Sequence, residues 1–397
     1  MTQPSGNDTA YPVVLDLLTE HGFGGMAEAM TLLLNEAMKA ERSLALGAKP
    51  SERTQARLGY ANGFKPKRVD TRVGSLDLKI PQVRPMSPDR PVDFYPSTLE
   101  RGLRSERALS LAIAEMYVQG VSTRRVREIT KELCGLDVSS TQVSRAAKLL
   151  DEQLSAWRNR ELGSYRSLFL DARYEKVRVC GVVRDCAVLL ALGVDEAGKR
   201  SVLGVSVALS EAEVHWRDFF ASLQDRGLHG VELITSDDHK GLRAALQARF
   251  TGVQWQRCQV HLQRNASALV PKLAMREGVA SDLRAIFNAE NLTAANEQLQ
   301  RSVKKYAKSA PKLAAWMEEA IPEGLTVFAL PATHRKRLRT NNVVERLNKE
   351  IKRRTRVAGL FPNEASLLRL VTAIVSETSD EWESGRTYLT MNKQELS

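Results

Sequence analysis

Apolar residues recur at helical spacing from Tyr11 to about Leu46 (Val14, Leu17, Leu18, then Met26, Met30, Leu33, Leu34), which predicts a helical pair for packing or dimerisation. From Gly59 to Arg84 the period changes. Val73, Leu76, Leu78 and Ile80 alternate with polar residues, and Gly74-Ser75 stands where a hairpin turn would. Helical spacing returns over Ser105–Gln119, then over Ser122–Leu133 behind a serine cap and ahead of Gly135, and again from Val138 behind another serine. Helix, short turn and second helix form a helix-turn-helix pattern.

The pattern becomes strand-like at Leu168. Runs at 168–180, 187–194 and 202–209 read as three meandering strands, with turns holding Val183-Arg-Asp185 and Asp195–Gly198. A helix follows over Glu211–Arg226, with Val214, Phe219, Phe220 and Leu223 inward. Next come a short apolar run, Glu232 to Ser236, a helix over Lys240–Phe250, and a fifth strand at Val253–Cys258. The order β-β-β-α-β-α-β predicts a ribonuclease H-like mixed sheet. Residues 262–335 read as all helical, with Leu283, Ile286, Leu292, Leu299, Leu313, Trp316 and Met317 forming the apolar faces. Past them, Val343, Val344, Leu347 and Ile351 make the buried stripe of a helix that Thr340 or Asn341 can cap.

The fold class is therefore multidomain α+β and α/β. The expected segments are a helical and basic-hairpin region for DNA binding or dimerisation (1–104), a helix-turn-helix domain (105–160), the first part of a catalytic core (161–262), a helical insertion (263–335) and the second part of the core with a basic helix and tail (336–397).

Charge narrows the function. A net charge of +11 on 397 residues favours a polyanionic partner. There is no apolar run of transmembrane length and no signal-peptide pattern at the N-terminus, so nucleic acid is favoured over a membrane surface as the partner. Cysteines 134, 180, 186 and 258 show no paired pattern and fit a reducing compartment. No Gly-rich dinucleotide motif or Gly-Lys-Ser/Thr loop is present, so NAD and ATP have no obvious seat.

Three stretches are candidate DNA contacts. Lys65, Lys67, Arg68 and Arg72 lie in the hairpin, interleaved with Tyr60 and Phe64, and read equally as phosphate contacts or as a solvated basic surface. Ser140, Thr141, Gln142 and Arg145 open the last helix of the helix-turn-helix; an ordinary three-helix bundle shares that layout. Between His334 and Arg356 ten Lys or Arg face two Glu, and Lys349, Lys352 and Arg353 are placed to grip phosphates.

The chemistry rests on three acids. Asp171 lies in the first strand, Asp237 at the end of the fourth, where ligands collect in an open α/β sheet, and Glu345 on the returning helix, with Lys349 and Lys352 on its face. Cutting or joining DNA needs charge neutralised at phosphorus and a water or 3′-hydroxyl activated, which two Mg²⁺ about 3.5–4 Å apart supply. Hard Mg²⁺ takes oxygen ligands, so the three carboxylates form a candidate metal site, with Mn²⁺ as a possible substitute. Glu350, beside Lys349 and Arg353, reads as an internal ion pair instead.

These residues resemble the Mutator type of bacterial insertion-sequence transposases, which carry a DDE acid triad. The resemblance runs through Gly59–Arg84, Leu170-Asp171-Ala, Trp216–Leu228, Ser236-Asp237 with Lys240-Gly-Leu242, Arg257-Cys-Gln-Val-His261 and Arg339-Thr-Asn-Asn-Val-Val-Glu345-Arg-Leu-Asn. It implies catalytic roles for Asp171, Asp237 and Glu345, a basic role for Lys352 and a Cys-x-x-His pair at Cys258 and His261. Asp238 stands where such proteins usually have a small residue, and can share the role of Asp237. Cys258 and His261 lack a second ligand pair, so a structural or DNA-positioning role is expected rather than zinc. The implied activity is binding of terminal inverted repeats, nicking of 3′ ends and transfer to target DNA by a homodimer or larger assembly on double-stranded DNA, and the implied location is the bacterial cytoplasm at the nucleoid. A catalytically silent DNA-binding regulator, or a nuclease that cuts without joining, remain the alternatives.

Overall fold

The computed structural model describes residues 10–87, 92–102 and 104–390; the polar start at 1–9 lies outside the described residues. They form two compact units, one of residues 1–117 with 121–149 and one of 118–120 with 150–397.

In the first unit, helices α1 (Ala10–His21) and α2 (Met26–Leu46) precede an antiparallel hairpin, β1 (Gly59–Thr71) and β2 (Gly74–Pro85). From Gly74 to Ile80 every second residue of β2 is buried. Leu76 and Leu78 pack on Met38, with Met30, Leu34 and Val69 around them, and Asn35 Oδ1 accepts the Lys79 N–H at 2.8 Å. Leu33, expected inside, is exposed. The turn is Arg72-Val73, two residues before the expected Gly74-Ser75: Thr71 pairs with Gly74, and Gly74, at φ +120°, opens the return strand.

Three helices follow: α3 (Arg107–Val118), α4 (Thr123–Cys134) and α5 (Ser140–Lys148). Ser122 accepts from the Arg125 N–H, Gly135 closes α4 in the left-handed conformation, and Ser139 with Gln142 forms a capping box on α5. Val126, Val143, Ala146 and Ala147 are the buried side of this pair.

The second unit begins with α6 (Asp151–Arg158). Its sheet consists of β3 (Tyr165–Val179), β4 (Val182–Asp195), β5 (Arg200–Ala208), β6 (Leu233–Ser236) and β7 (Gln254–Arg257), with α7 (Glu213–Asp225) between β5 and β6 and α8 (Lys240–Arg249) between β6 and β7. The spatial order is β5-β4-β3-β6-β7. The first three strands are antiparallel neighbours, and β6 and β7 are parallel to β3. The β3–β4 turn is Cys180-Gly181, so Val183–Asp185 lie within β4 rather than in the turn. Both turn residues adopt positive φ, the geometry a two-residue hairpin demands.

Alternation sorts the faces of β3. Leu168 and Leu170 join Leu189, Trp216, Phe220, Leu242 and Leu246 under α7 and α8. Val214, expected inward, is exposed, and Trp216 takes the buried position. Residues of the other parity (Asp171, Arg173, Glu175) bond to the helix over 342–355 described below.

Helices α9 (Gln259–Leu269), α10 (Arg276–Phe287), α11 (Leu292–Tyr306) and α12 (Pro311–Ala320) bury their own core around Leu283, Ile286, Leu299, Leu313 and Met317. Leu292 is exposed at the first position of α11, and Trp316 is only partly buried. The chain returns through α13 (Ala332–Leu338), α14 (Asn342–Thr355) and α15 (Glu364–Ser384); α14 lies against β3, and α15 against β5 and β3. Val343, Val344, Leu347 and Ile351 are buried as the stripe predicts. All four cysteines are free thiols, and no helix among the described residues is long and apolar enough to cross a membrane.

Candidate active site

Strand register places the first two acids level. Phe169 pairs with Thr235 across parallel strands, and Asp171 and Asp237 each follow two residues later. Adjacent strands run about 4.8 Å apart, so the two carboxylates leave neighbouring backbones at one height.

Four bonds fasten α14 along β3. Asn341 Nδ2 donates to the Leu170 carbonyl at 2.8 Å, and Asn348 Nδ2 donates to Asp171 Oδ2 at 2.8 Å. The Arg173 guanidinium donates to the Asn348 carbonyl. Thr355 Oγ1 donates to Glu175 Oε1 at 2.8 Å. Asn341 thus holds the N-cap position without capping: its Nδ2 is turned to the sheet and its buried Oδ1 accepts no hydrogen bond. Cys258 seats the same corner: its buried Sγ accepts the Asn341 N–H at 3.2 Å. Steps of four and three residues put Asn341, Glu345 and Asn348 on one helical face, so Glu345 lies between the two anchors on Leu170 and Asp171.

The electrostatics single out Asp171. Its carboxyl is packed round by protein, which pushes its pKa up to about 7; the Ala172 N–H opposes this, and the charges of Asp237, Glu211 and Glu345 add to it. The sequence marks Glu211 only as the start of a helix. It lies just beyond the C-terminal end of β5, as Asp237 lies beyond β6, and that shared placement is the signal that would have found it.

Glu345 faces a cation. Arg264 Nη2, from α9, lies 3.1 Å from Glu345 Oε1 but off the hydrogen-bond line, so that buried oxygen accepts no hydrogen bond. Nothing in the sequence marked Arg264, and Asn348 entered only as the last residue of the Arg339–Asn348 motif, without a role. Among the described residues no three His, Cys, Asp or Glu side chains converge closely enough to hold an ion as they stand. Asp171 and Asp237 are side by side; Glu345 belongs to the same electrostatic neighbourhood and is paired with Arg264. Hard oxygen donors, an acid pushed towards neutrality by burial and, less strongly, by other acids, and a buried carboxylate oxygen without a donor all fit an oxygen-seeking divalent cation.

Asp238 goes elsewhere. It pairs with Arg257 Nη1 at 3.0 Å and Arg243 Nη1 at 3.3 Å, and Glu323 bridges the same two arginines at 2.9 and 2.8 Å. Asp237 enters no ion pair among the described residues, and its Oδ1 accepts the Asp238 N–H at 2.7 Å. His261 Nδ1 is buried without a partner, two positions after the start of α9. Glu350 is held down to about 2 by Arg353 and Arg354, not by Lys349.

The candidate DNA contacts divide by availability. Lys65, Arg68, Ser140, Thr141, Arg145, Lys349 and Lys352 are exposed. Lys67 donates to Tyr95 Oη at 2.9 Å, Arg72 pairs with Glu106 at 2.7 Å, Arg353 pairs with Glu350 at 2.7 Å, and Gln142 uses its side-chain oxygen in the capping box.

Comparison with known proteins follows this geometry. The family model described as "Transposase, Mutator family" matches residues 16–385. The chain is 56% identical over 377 residues to the transposase for insertion sequence element IS406 of Burkholderia multivorans, covering 94% of this chain and 96% of that one. It is 44% identical over 393 residues to the transposase for ISRM5 of Rhizobium meliloti, covering 99% and 96%. It is 36% identical over 376 residues to the transposase for IS256 in transposon Tn4001 of Staphylococcus aureus, covering 92% and 93%.

Proposed function

The chain belongs to the Mutator family of transposases, and from that premise we propose that it binds the ends of an insertion sequence and cleaves and joins DNA strands at Asp171, Asp237 and Glu345. The observation that supports this most is the Asn348–Asp171 bond at 2.8 Å, because it brings the helix bearing Glu345 onto the strand bearing Asp171, beside Asp237.

Asp171, Asp237 and Glu345 would hold divalent cations, Mg²⁺ in the cell, which when bound neutralise the phosphate and lower the pKa of the attacking hydroxyl or water. The remaining work falls to the chain. Asn348 keeps one oxygen of Asp171 oriented through a donated N–H. Asn341 and Cys258 fix the entry of α14 and hence the height of Glu345. Arg264 neutralises Glu345 until a phosphate offers it a better partner. Lys349 and Lys352, exposed further along α14, attract the strand to be cut.

In fold terms we read the sheet as ribonuclease H-like, with α9 to α12 inserted before α14, and α4 with α5 as a helix-turn-helix whose exposed Ser140, Thr141 and Arg145 approach a groove.

The test is a nicking and strand-transfer assay on a duplex carrying the inverted repeats that flank the gene, with and without Mg²⁺. Nicking followed by joining, both dependent on the ion, is the expected result. Binding without nicking would support the silent regulator, and nicking without joining the nuclease.

A further inference from the structure

The stretch that leads into Glu345 carries more chemistry than the acid site uses. Arg339, Thr340 and Asn342 border a cavity of about 180 Å³, together with Gln263 of α9 and with Arg284 and Asn288 at the end of α10. Its walls hold guanidinium, amide and hydroxyl groups and no carboxylate.

Arg339 is the telling member. Its Nη1 donates to the Phe287 carbonyl at 2.8 Å and to Asn288 Oδ1 at 2.9 Å, which pins the group on the wall. Nη2 makes no hydrogen bond among the described residues, and the side chain enters no ion pair there. Half-buried and facing no carboxylate in the cavity wall, this guanidinium makes the cavity favour an anion. Arg284 stands exposed on the far side, its Nε on the Ala280 carbonyl at 3.2 Å and its amino groups free to turn inward. Pockets for whole organic ligands run to roughly 300–1,000 Å³, so this one suits a single phosphate group. It also lies close to the chemistry: Asn342 precedes Glu345 by three residues, about 4.5 Å of helical rise.

We infer that this cavity seats one backbone phosphate of DNA, beside the nucleotide handled at the acids, with Arg339 as the fixed donor and Arg284 closing over it. The inference rests on the DNA reading above.

The test is binding of a fluorescent duplex followed against NaCl concentration, without divalent ions. Arg284→Ala should weaken binding three- to tenfold and make the log–log salt dependence shallower by about one unit. Arg276→Ala, a charge removed from the same helix outside the cavity, should leave the slope unchanged, and Arg284→Lys should keep it. An equal response of both alanine variants, or no response of Arg284→Ala while the wild type binds, would overturn the phosphate seat. Absence of salt-dependent binding by the wild type would instead overturn the DNA reading beneath it.

Discussion

Asn348 donates its side-chain amide to Asp171 across 177 positions of sequence, at 2.8 Å. Through that bond the strand bearing one acid and the helix bearing another share a register. Asn348→Ala should leave DNA affinity within twofold and slow nicking by about 10²-fold, the usual consequence of misplacing a reacting group by about 1 Å. Asn348→Asp should be slower still, since it sets a like charge against Asp171. Rates at saturating Mg²⁺, read beside duplex affinity, check this; a loss confined to affinity would make Asn348 a binding residue.

Burial first, then the charges of Asp237, Glu211 and Glu345, put the Asp171 pKa at about 7, above the roughly 3.9 of an unfolded chain. Between those values the folded state holds a proton that the unfolded state does not. Stability therefore falls as pH rises from about 4 to 7 and levels off above. Asp171→Asn removes that penalty. In metal-free denaturant unfolding at pH 8 the variant should be the more stable, by up to about 4 kcal/mol, with the gap closing towards pH 4. Equal stability at pH 8 would contradict the burial argument.

Arg264 is exposed along most of its length and engages Glu345 at 3.1 Å. Without DNA it competes with any cation for that carboxylate. Arg264→Ala should bind Mn²⁺ several-fold more tightly in the absence of DNA, by calorimetric titration, while binding duplex less well. Unchanged or weaker Mn²⁺ binding would remove Arg264 from the site.

The two adjacent acids should separate cleanly. Asp238→Asn loosens the pairs to Arg243 and Arg257, the latter almost buried, and should cost about 1–3 kcal/mol of stability while nicking persists. Asp237→Asn should do the reverse, abolishing nicking at little cost in stability. Thermal melts and nicking rates on both variants decide between them.

What the sequence disclosed was mostly local. Ser122, Gly135 and Ser139 mark helix ends because capping acts within a turn, and strand alternation revealed which side of β2 is buried. Two hairpin turns lie away from their expected positions because neither Arg72-Val73 nor Cys180-Gly181 is a strong turn dipeptide, and each sits beside residues that resemble one. Asp171, Asp237 and Glu345 are candidates from the sequence alone, as acids within a strand, at a strand outlet and on a basic helix. Asn348, Arg264 and the pairing of Asp238 are not, because each depends on a contact between segments far apart in the chain.

The count of bound ions goes most directly to the central claim. Mn²⁺ titrated by electron paramagnetic resonance into the chain on duplex DNA should report two ions per chain for the wild type, and fewer for each of Asp171→Asn, Asp237→Asn and Glu345→Gln. Two ions retained by any one of those variants would contradict the assignment of that carboxylate, and retention by all three would contradict the account.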